Sequence, residues 1–523
     1  MDERIEHVNF VNRSVYHRYD RGRKFIPRTL KFVCCFLMAV LYFKKEALKV
    51  NGSTGEGTMK KSLVFLLTVL LLLQLSGCTG VRDLFFWQDE TTSRRTEEID
   101  REEESEDMLI RSEALPPKSV SIDINSPQRY LEEVARQDPD DSKYYERIEQ
   151  RGGFYSLSQG SERMCYQDIL EAAYIVSQKP DENGYYPIKR VTITNRQLSE
   201  SQLRKVIAAF QNDNPEIFWI ANLFGFAFTE SKTYIQLYSV LSARDCSAAM
   251  KQMNSVLNDV VLQIPAGLDE YQRETLLQKW VVDHCTYDHE AARTKNKWES
   301  FTAFGALTKN TAVCEGYSRA MQLLLGSVGI ECRLVNGESQ QNLHMWDLVK
   351  IQGDWYHLDV TFNDSDTMRR YDYLNVTDTV IKKDHKIDPD FNSLTSSQIE
   401  GSSSAGPAQY NLGLPKCTAT KMNYFEREAV KINSLDQSYD TAVVQQLIER
   451  AQKGEEDISL KISDSMDYKS TVAKLFTGSP YKFLYYIEEA NKSLDRDHQI
   501  NSKNIVYAEI PAQRALTVKL TYR

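Results

Sequence analysis

Two short alternating runs joined by Gln352-Gly353 constrain this chain more than any other feature of its 523 residues. Residues 343–351 and 354–361 both alternate as strands, and the two residues between them suit a tight hairpin loop. A two-residue loop pairs Ile351 with Asp354, which sets every other partner: His344 faces Thr361 and Trp346 faces Asp359. Cross-strand partners share a face, so His344 and Asp359 lie diagonally on one side. A three-residue loop would place them on opposite faces. On one face, Asp359 can accept a hydrogen bond from one ring nitrogen of His344 and fix its tautomer. The other nitrogen is then free to take a proton.

A donor for that proton stands upstream. Residues 311–325 open a helix whose apolar side runs through Ala320, Leu324 and Val328, and Cys314 lies at its N-terminal end. Unpaired amides and the helix dipole favour an anion there, so a nucleophilic thiolate is expected at that position. The Cys314 backbone amide is the natural oxyanion donor. Residues 266–385 also hold five of the eight histidines. His357 pairs with Leu348 across the hairpin and reads as structural. His284, Cys285, Asp288 and His289 have the density of a metal site, but the two histidines are five apart and share no helical face. Cys332 reads as a core residue at the start of a strand. Six cysteines follow Cys78, and using one as a nucleophile leaves an odd number with no disulfide framework. Tyr317 and Trp346 either line a substrate cleft or close the core over the hairpin.

Three motifs now stand in order: Val313-Cys314-Glu315-Gly316-Tyr317, His344-Met345-Trp346-Asp347, and Trp355-Tyr356-His357-Leu358-Asp359-Val360-Thr361. Together they resemble the transglutaminase-like superfamily, and the likeness extends to residues 279–288 and 371–378. The resemblance implies an α+β fold with a papain-like core, a helix carrying the cysteine packed on an antiparallel sheet carrying histidine and aspartate. It implies Cys314 as nucleophile, His344 as general base and acid, and Asp359 as the orienting carboxylate. Met345 stands where many relatives carry a small residue, which narrows the site. The implied chemistry attacks a peptide or carboxamide bond through a thioester, with no cofactor and no metal. Water as acceptor gives hydrolysis or deamidation, and a lysine amine gives a crosslink. The alternative is a binding or scaffold lipoprotein that keeps the fold without turnover.

The rest of the chain flanks this piece, expected at residues 266–390, with an α/β domain on either side. Residues 126–265 read as helix 165–177, strand 190–194, helix 200–211 with a capping box at Ser199 and Gln202, paired strands 217–228 and 233–239, and helix 243–262. A Ser-rich stretch opens a linker over 391–424. Residues 425–523 read as strand 429–432, helix 438–453, strand 458–462, helices 468–476 and 480–491, and strands 504–510 and 515–522.

The N-terminus reads as an address. Residues 32–43 and 63–73 are apolar but shorter than the roughly 20 residues a spanning helix needs. The second follows Met59-Lys60-Lys61 and leads into Leu75-Ser76-Gly77-Cys78, the order of a secretory signal. Leu-Ser-Gly-Cys resembles the lipobox of bacterial lipoproteins, which implies a lipid on Cys78, an anchored extracytoplasmic protein and a signal peptide over 59–78. Translation is then expected to start at Met59, leaving residues 1–58 outside the product. Residues 79–125 are a charged tether. Within it, residues 89–113 hold eleven acidic residues against four arginines, so the net charge of -9 describes mainly this segment. That balance excludes the basic footprint of a nucleic-acid binder. The expected partners are peptide or protein substrates and the membrane.

Overall fold

A computed structural model describes residues 145–194, 198–228, 232–365, 367–388, 411–436, 440–503 and 505–523. It also describes the backbone of three short strands, Val11–Asn12, Met108–Leu109 and Arg129–Leu131. Apart from those strands, the expected leader, signal peptide, Cys78 and tether lie outside the described residues, as do residues 389–410. No described helix is long and apolar enough to cross a membrane.

The N-terminal piece contains α1 (Gly152–Ser156), α2 (Ser161–Ala172), β1 (Val191–Thr194), α3 (Glu200–Asp213), β2 (Ile220–Phe228), β3 (Lys232–Ser239) and α4 (Ala243–Leu262). The expected capping box opens α3, with Ser199 accepting from the Gln202 amide and Gln202 reaching back. Strand β3 pairs antiparallel with both β1 and β2. Helix α2 begins and ends about four residues earlier than its sequence periodicity indicates, because Ile175–Val176 peels off as a short strand.

The central piece begins with α5 (Glu270–His284), capped by Asp269 and Gln272. Strands β4 (Thr286–Tyr287) and β5 (Thr311–Ala312) pair in parallel and deliver the chain to α6 (Cys314–Ser327). The sheet follows: β6 (Cys332–Ser339), β7 (Asn342–Ile351), β8 (Asp354–Leu358), β9 (Leu374–Val376) and β10 (His385–Ile387). The strand order is β9-β8-β7-β6-β10, antiparallel throughout. Two short helices interrupt it, α7 (Val360–Asn363) and α8 (Asp378–Ile381). Both tight hairpins use two left-handed residues, Gln340 and Gln341 before β7, Gln352 and Gly353 before β8. This is the turn geometry whose twist matches paired strands.

Alternation along β7 and β8 sends side chains to two buried faces. Val349, Ile351, Tyr356 and Leu358 join the large core that includes α6. Trp346, Leu348, Val335, Val376, Ile381 and Cys417 form a smaller core on the other face. Residues 411–424, expected as part of a linker, are therefore structural: Leu412, Cys417, Met422 and Tyr424 are buried. Their apolar positions are too irregularly spaced to show a period, but each fills a gap beside the sheet. The large core runs without a break from Phe154 through the central piece to Phe425.

The C-terminal piece has a core of its own. It comprises β11 (Val430–Ile432), α9 (Thr441–Gln452), β12 (Asp457–Ile462), α10 (Tyr468–Val472), α11 (Lys482–Asn491), β13 (Val506–Ile510) and β14 (Ala515–Lys519). Its strands run in the order β13-β14-β12-β11, with only β11 and β12 parallel among these pairs. Helix α11 starts at Lys482 rather than at Pro480, and Ser479 does not cap it, because Tyr481 takes a left-handed conformation at the cap position.

Candidate active site

Cys314 is the first residue of α6, and its helix has an unusual start. The cap residue is Val313, which offers no side-chain hydrogen bond. The first amides of α6 thus lack the side-chain acceptor that usually satisfies one of them. Gly316 lets this end of the helix press against the preceding loop: a Cβ there would lie 2.6 Å from the Ser300 carbonyl oxygen and 2.7 Å from the Ala312 Cβ. Every residue from Gly316 to Ser327 is buried, whereas Cys314 is half-buried. The N-terminal piece clamps the helix. Arg319 donates to the Gln211 carbonyl at 2.7 Å and Gln322 to that of Asn212 at 2.9 Å. Gln150 donates to the Ile330 carbonyl and accepts from the Cys332 amide. Ser318 donates to the Met345 carbonyl, tying α6 to β7.

The hairpin pairs as the loop length requires up to Asp347↔Leu358, and His357 faces Leu348. Beyond that point the expected pairs Trp346–Asp359 and His344–Thr361 do not form. Strand β8 stops because the Asp359 carboxylate accepts from the Phe362 amide at 3.0 Å and caps α7, which takes Thr361 into a helical turn. His344 instead pairs backward with Gly337 of β6. A Cβ on Gly337 would lie 2.2 Å from the Lys386 carbonyl oxygen and 2.9 Å from the Trp346 ring, so only glycine admits both neighbours. The side chains of His344 and Asp359 nonetheless meet, with Nε2 donating to Oδ2 at 2.7 Å.

His344 also hydrogen-bonds the Cys314 thiol. Burial lowers the imidazole's proton affinity, but the charge and hydrogen bond of Asp359, with Cys314, outweigh it and raise the pKa to about 10. Burial pushes the Asp359 carboxyl up, yet the two histidines bonded to it hold it well below the usual carboxylate range. The His344 ring lies between Trp346 at 5.8 Å and Phe362 at 4.8 Å. Cys314, His344 and Asp359, three residues picked out by sequence, are thus one hydrogen-bonded group.

Tyr317 and Trp346 do not line a cleft. Both are fully buried. Tyr317 donates to Asp364 Oδ2 at 2.6 Å, and Trp346 Nε1 donates to His357 Nδ1 at 3.0 Å. Each closes a core behind the site. Around residue 284, His284 bonds the Trp280 carbonyl, while Asp288 holds Ala291, Lys297 and Ser300.

One member of the site carries no local signal in the sequence. His385, 26 residues from Asp359 and on an edge strand, places Nε2 3.0 Å from Asp359 Oδ2 and Nδ1 2.7 Å from Asp384 Oδ1. Tyr373 donates to the other oxygen of Asp384 at 2.5 Å. Only the fold brings β10 to this point.

Two groups among the described residues could offer three metal ligands each, His344–Asp359–His385 and His357–Asp378–Cys417. In the second, His357 Nδ1 accepts from Trp346, so its proton sits on Nε2 and points at Asp378 Oδ1, 2.9 Å away. A protonated nitrogen is no ligand. In the first, both imidazoles address one carboxylate oxygen at hydrogen-bonding distance. Both groups read as hydrogen-bonded networks.

Residues 261–360 match the model of the transglutaminase-like superfamily. A solved structure described as a TGase is similar at 16% identity, over 34% of this chain and 52% of that one, with a TM-score of 0.20. A structure described as a candidate cysteine protease from Cytophaga hutchinsonii is similar at 10% identity, over 35% and 68%, with a TM-score of 0.18. The first of these likenesses thus spans about half the length of the TGase chain. No curated protein matches.

Proposed function

We propose that this chain, whose central piece has the transglutaminase-like fold of a thiol-enzyme superfamily, acts on peptide or carboxamide bonds through Cys314. The observation that carries this reading is His344 held between the Cys314 thiol and the Asp359 carboxylate. The Cys314 sulfur attacks the carbonyl carbon, and the oxyanion is met by the Cys314 backbone amide at the helix end. The C–N bond breaks, the amine leaves with the proton held by His344, and a thioester remains. Water or an amine then attacks, giving its proton to His344 as the C–S bond breaks. Asp359 keeps the ring in the tautomer both steps need. Water is the default acceptor, so hydrolysis or deamidation is the main outcome. A lipid on Cys78 would hold the protein outside the cell, where wall peptides and secreted proteins are within reach.

The test is intact-mass spectrometry of the protein after mixing with glutamine-containing peptides, with and without a primary amine. A peptide-sized adduct on Cys314, released by water or by the amine and missing in Cys314→Ser, is the expected result. A folded protein with no adduct and no product points to the binding-module alternative. Metabolic labelling with a fatty-acid analogue, lost in Cys78→Ala, is the expected outcome for the anchor.

A further inference from the structure

We propose that His385 is a positioning residue of this site, a buried imidazolium that holds the Asp359 carboxylate in place and charged opposite His344; this rests on the thiol-enzyme reading above.

The geometry requires the charge. A neutral imidazole has one N–H, yet both ring nitrogens of His385 face carboxylate oxygens, Asp384 Oδ1 at 2.7 Å and Asp359 Oδ2 at 3.0 Å. Carboxylates offer only lone pairs, so both nitrogens must donate. The side chain is fully buried, and an unpaired charge there would be costly. Two carboxylates, Asp384 just before β10 and Asp359 just after β8, offset it. The groups facing it from the other packed elements are the His344 imidazole of β7, the Tyr373 phenol before β9 and the neutral His357 of β8. Trp346 and Phe362 supply apolar walls at 5.1 and 4.9 Å. Burial disfavours the imidazolium, but the bonds to Asp359 and Asp384 prevail and raise its proton affinity.

Three fixed donors therefore hold Asp359: the Phe362 amide on Oδ1, and His344 and His385 on Oδ2. It cannot rotate without breaking one of them. A second effect follows from charge alone. A cation 5.4 Å from the His344 ring favours negative over further positive charge around it, so removing it should shift the site's pH profile upward.

The test is the pH profile of iodoacetate alkylation at Cys314 in the full chain, followed by peptide mapping. An anionic reagent labels the thiolate–imidazolium state, so the profile is a bell with an acid and an alkaline limb. His385→Gln keeps a donor near Nε2 and removes the charge. Both limbs should move up by roughly one pH unit, making labelling about tenfold slower on the acid side. Asp384→Asn removes a carboxylate and leaves the His385 charge unbalanced, so both limbs should move down. Opposite shifts in two folded variants are the signature of the charge; a merely structural residue lowers the bell without moving it. Limbs that stay in place in both overturn the proposal while leaving the triad standing. A wild-type profile without a bell, like that of an ordinary thiol, overturns the thiol-enzyme reading and this proposal with it. Should His385→Gln not fold, Asp384→Asn decides alone.

Discussion

His344 and His357 stand on the two strands of one hairpin, each bonded through Nε2 to an aspartate and each beside a cysteine, yet their second nitrogens have opposite roles. His344 turns Nδ1 toward a half-buried thiol at a helix start. His357 turns Nδ1 toward the Trp346 indole, a donor that cannot give up its proton. The first ring is consequently basic, raised to about 10, first against burial and then by Asp359. The second is lowered to about 4, mainly by burial, although Asp378 opposes this. Cys417 beside it is fully buried, which pushes its thiol up to about 12. The same three residue types make a basic imidazole or a neutral brace according to what faces one nitrogen.

The sharpest way to break this comparison is alkylation of Cys314 by a neutral reagent near pH 6. His344→Ala should slow it about a hundredfold, toward the rate of an ordinary thiol, and His357→Ala should leave it within about twofold. Equal effects from the two variants would erase the distinction.

Stability against pH should separate them next, with opposite signs. His344 has a folded pKa near 10, above its unfolded value of about 6.5, so its contribution is complete below pH 6.5 and is lost as pH rises through 10. His357 has a folded pKa near 4, below that unfolded value, so its contribution is complete above pH 6.5 and is lost as pH falls through 4. Unfolding free energies from denaturant titrations across pH 4 to 10 should fall at both ends, by roughly 3 kcal/mol on the acid side and more on the alkaline side, where the shift is larger. His344→Gln should flatten the alkaline slope alone, and His357→Gln the acid slope alone.

Trp346→Phe sharpens the role of the indole. It leaves His357 Nδ1 buried without a donor and should cost about 1–3 kcal/mol in urea unfolding. The smallest effect is expected from Cys417→Ala, about 1 kcal/mol or less, with Cys314 labelling unchanged.

Much of the site is legible in the sequence because it depends on local rules. A two-residue loop dictates cross-strand partners, and a helix start dictates where a thiolate is favoured. The reading failed where tertiary contacts overrode those rules. Asp359 stays beside His344 as the parity argument requires, but as a helix cap rather than as a strand residue. Tyr317 and Trp346 are aromatic residues close in sequence to Cys314 and His344, and only packing shows that they face inward. His385 reaches Asp359 through β10, whose three residues carry no pattern to predict an edge strand. The linker reading of 411–424 failed for the same reason, since its buried residues join cores built by distant parts of the chain.

The clamp on α6 bears on how small a folded fragment can keep that helix in place. The family likeness begins at residue 261, but the backbone carbonyls that hold Arg319 and Gln322 belong to Gln211 and Asn212, and Gln150 braces the chain leaving the helix. A fragment trimmed to the recognisable motif would leave Arg319 Nη1 and the Gln322 amide without these acceptors and open the apolar flank of the helix that begins at Cys314. A fragment that keeps this clamp must reach back at least to Gln150, more than a hundred residues before the matched segment.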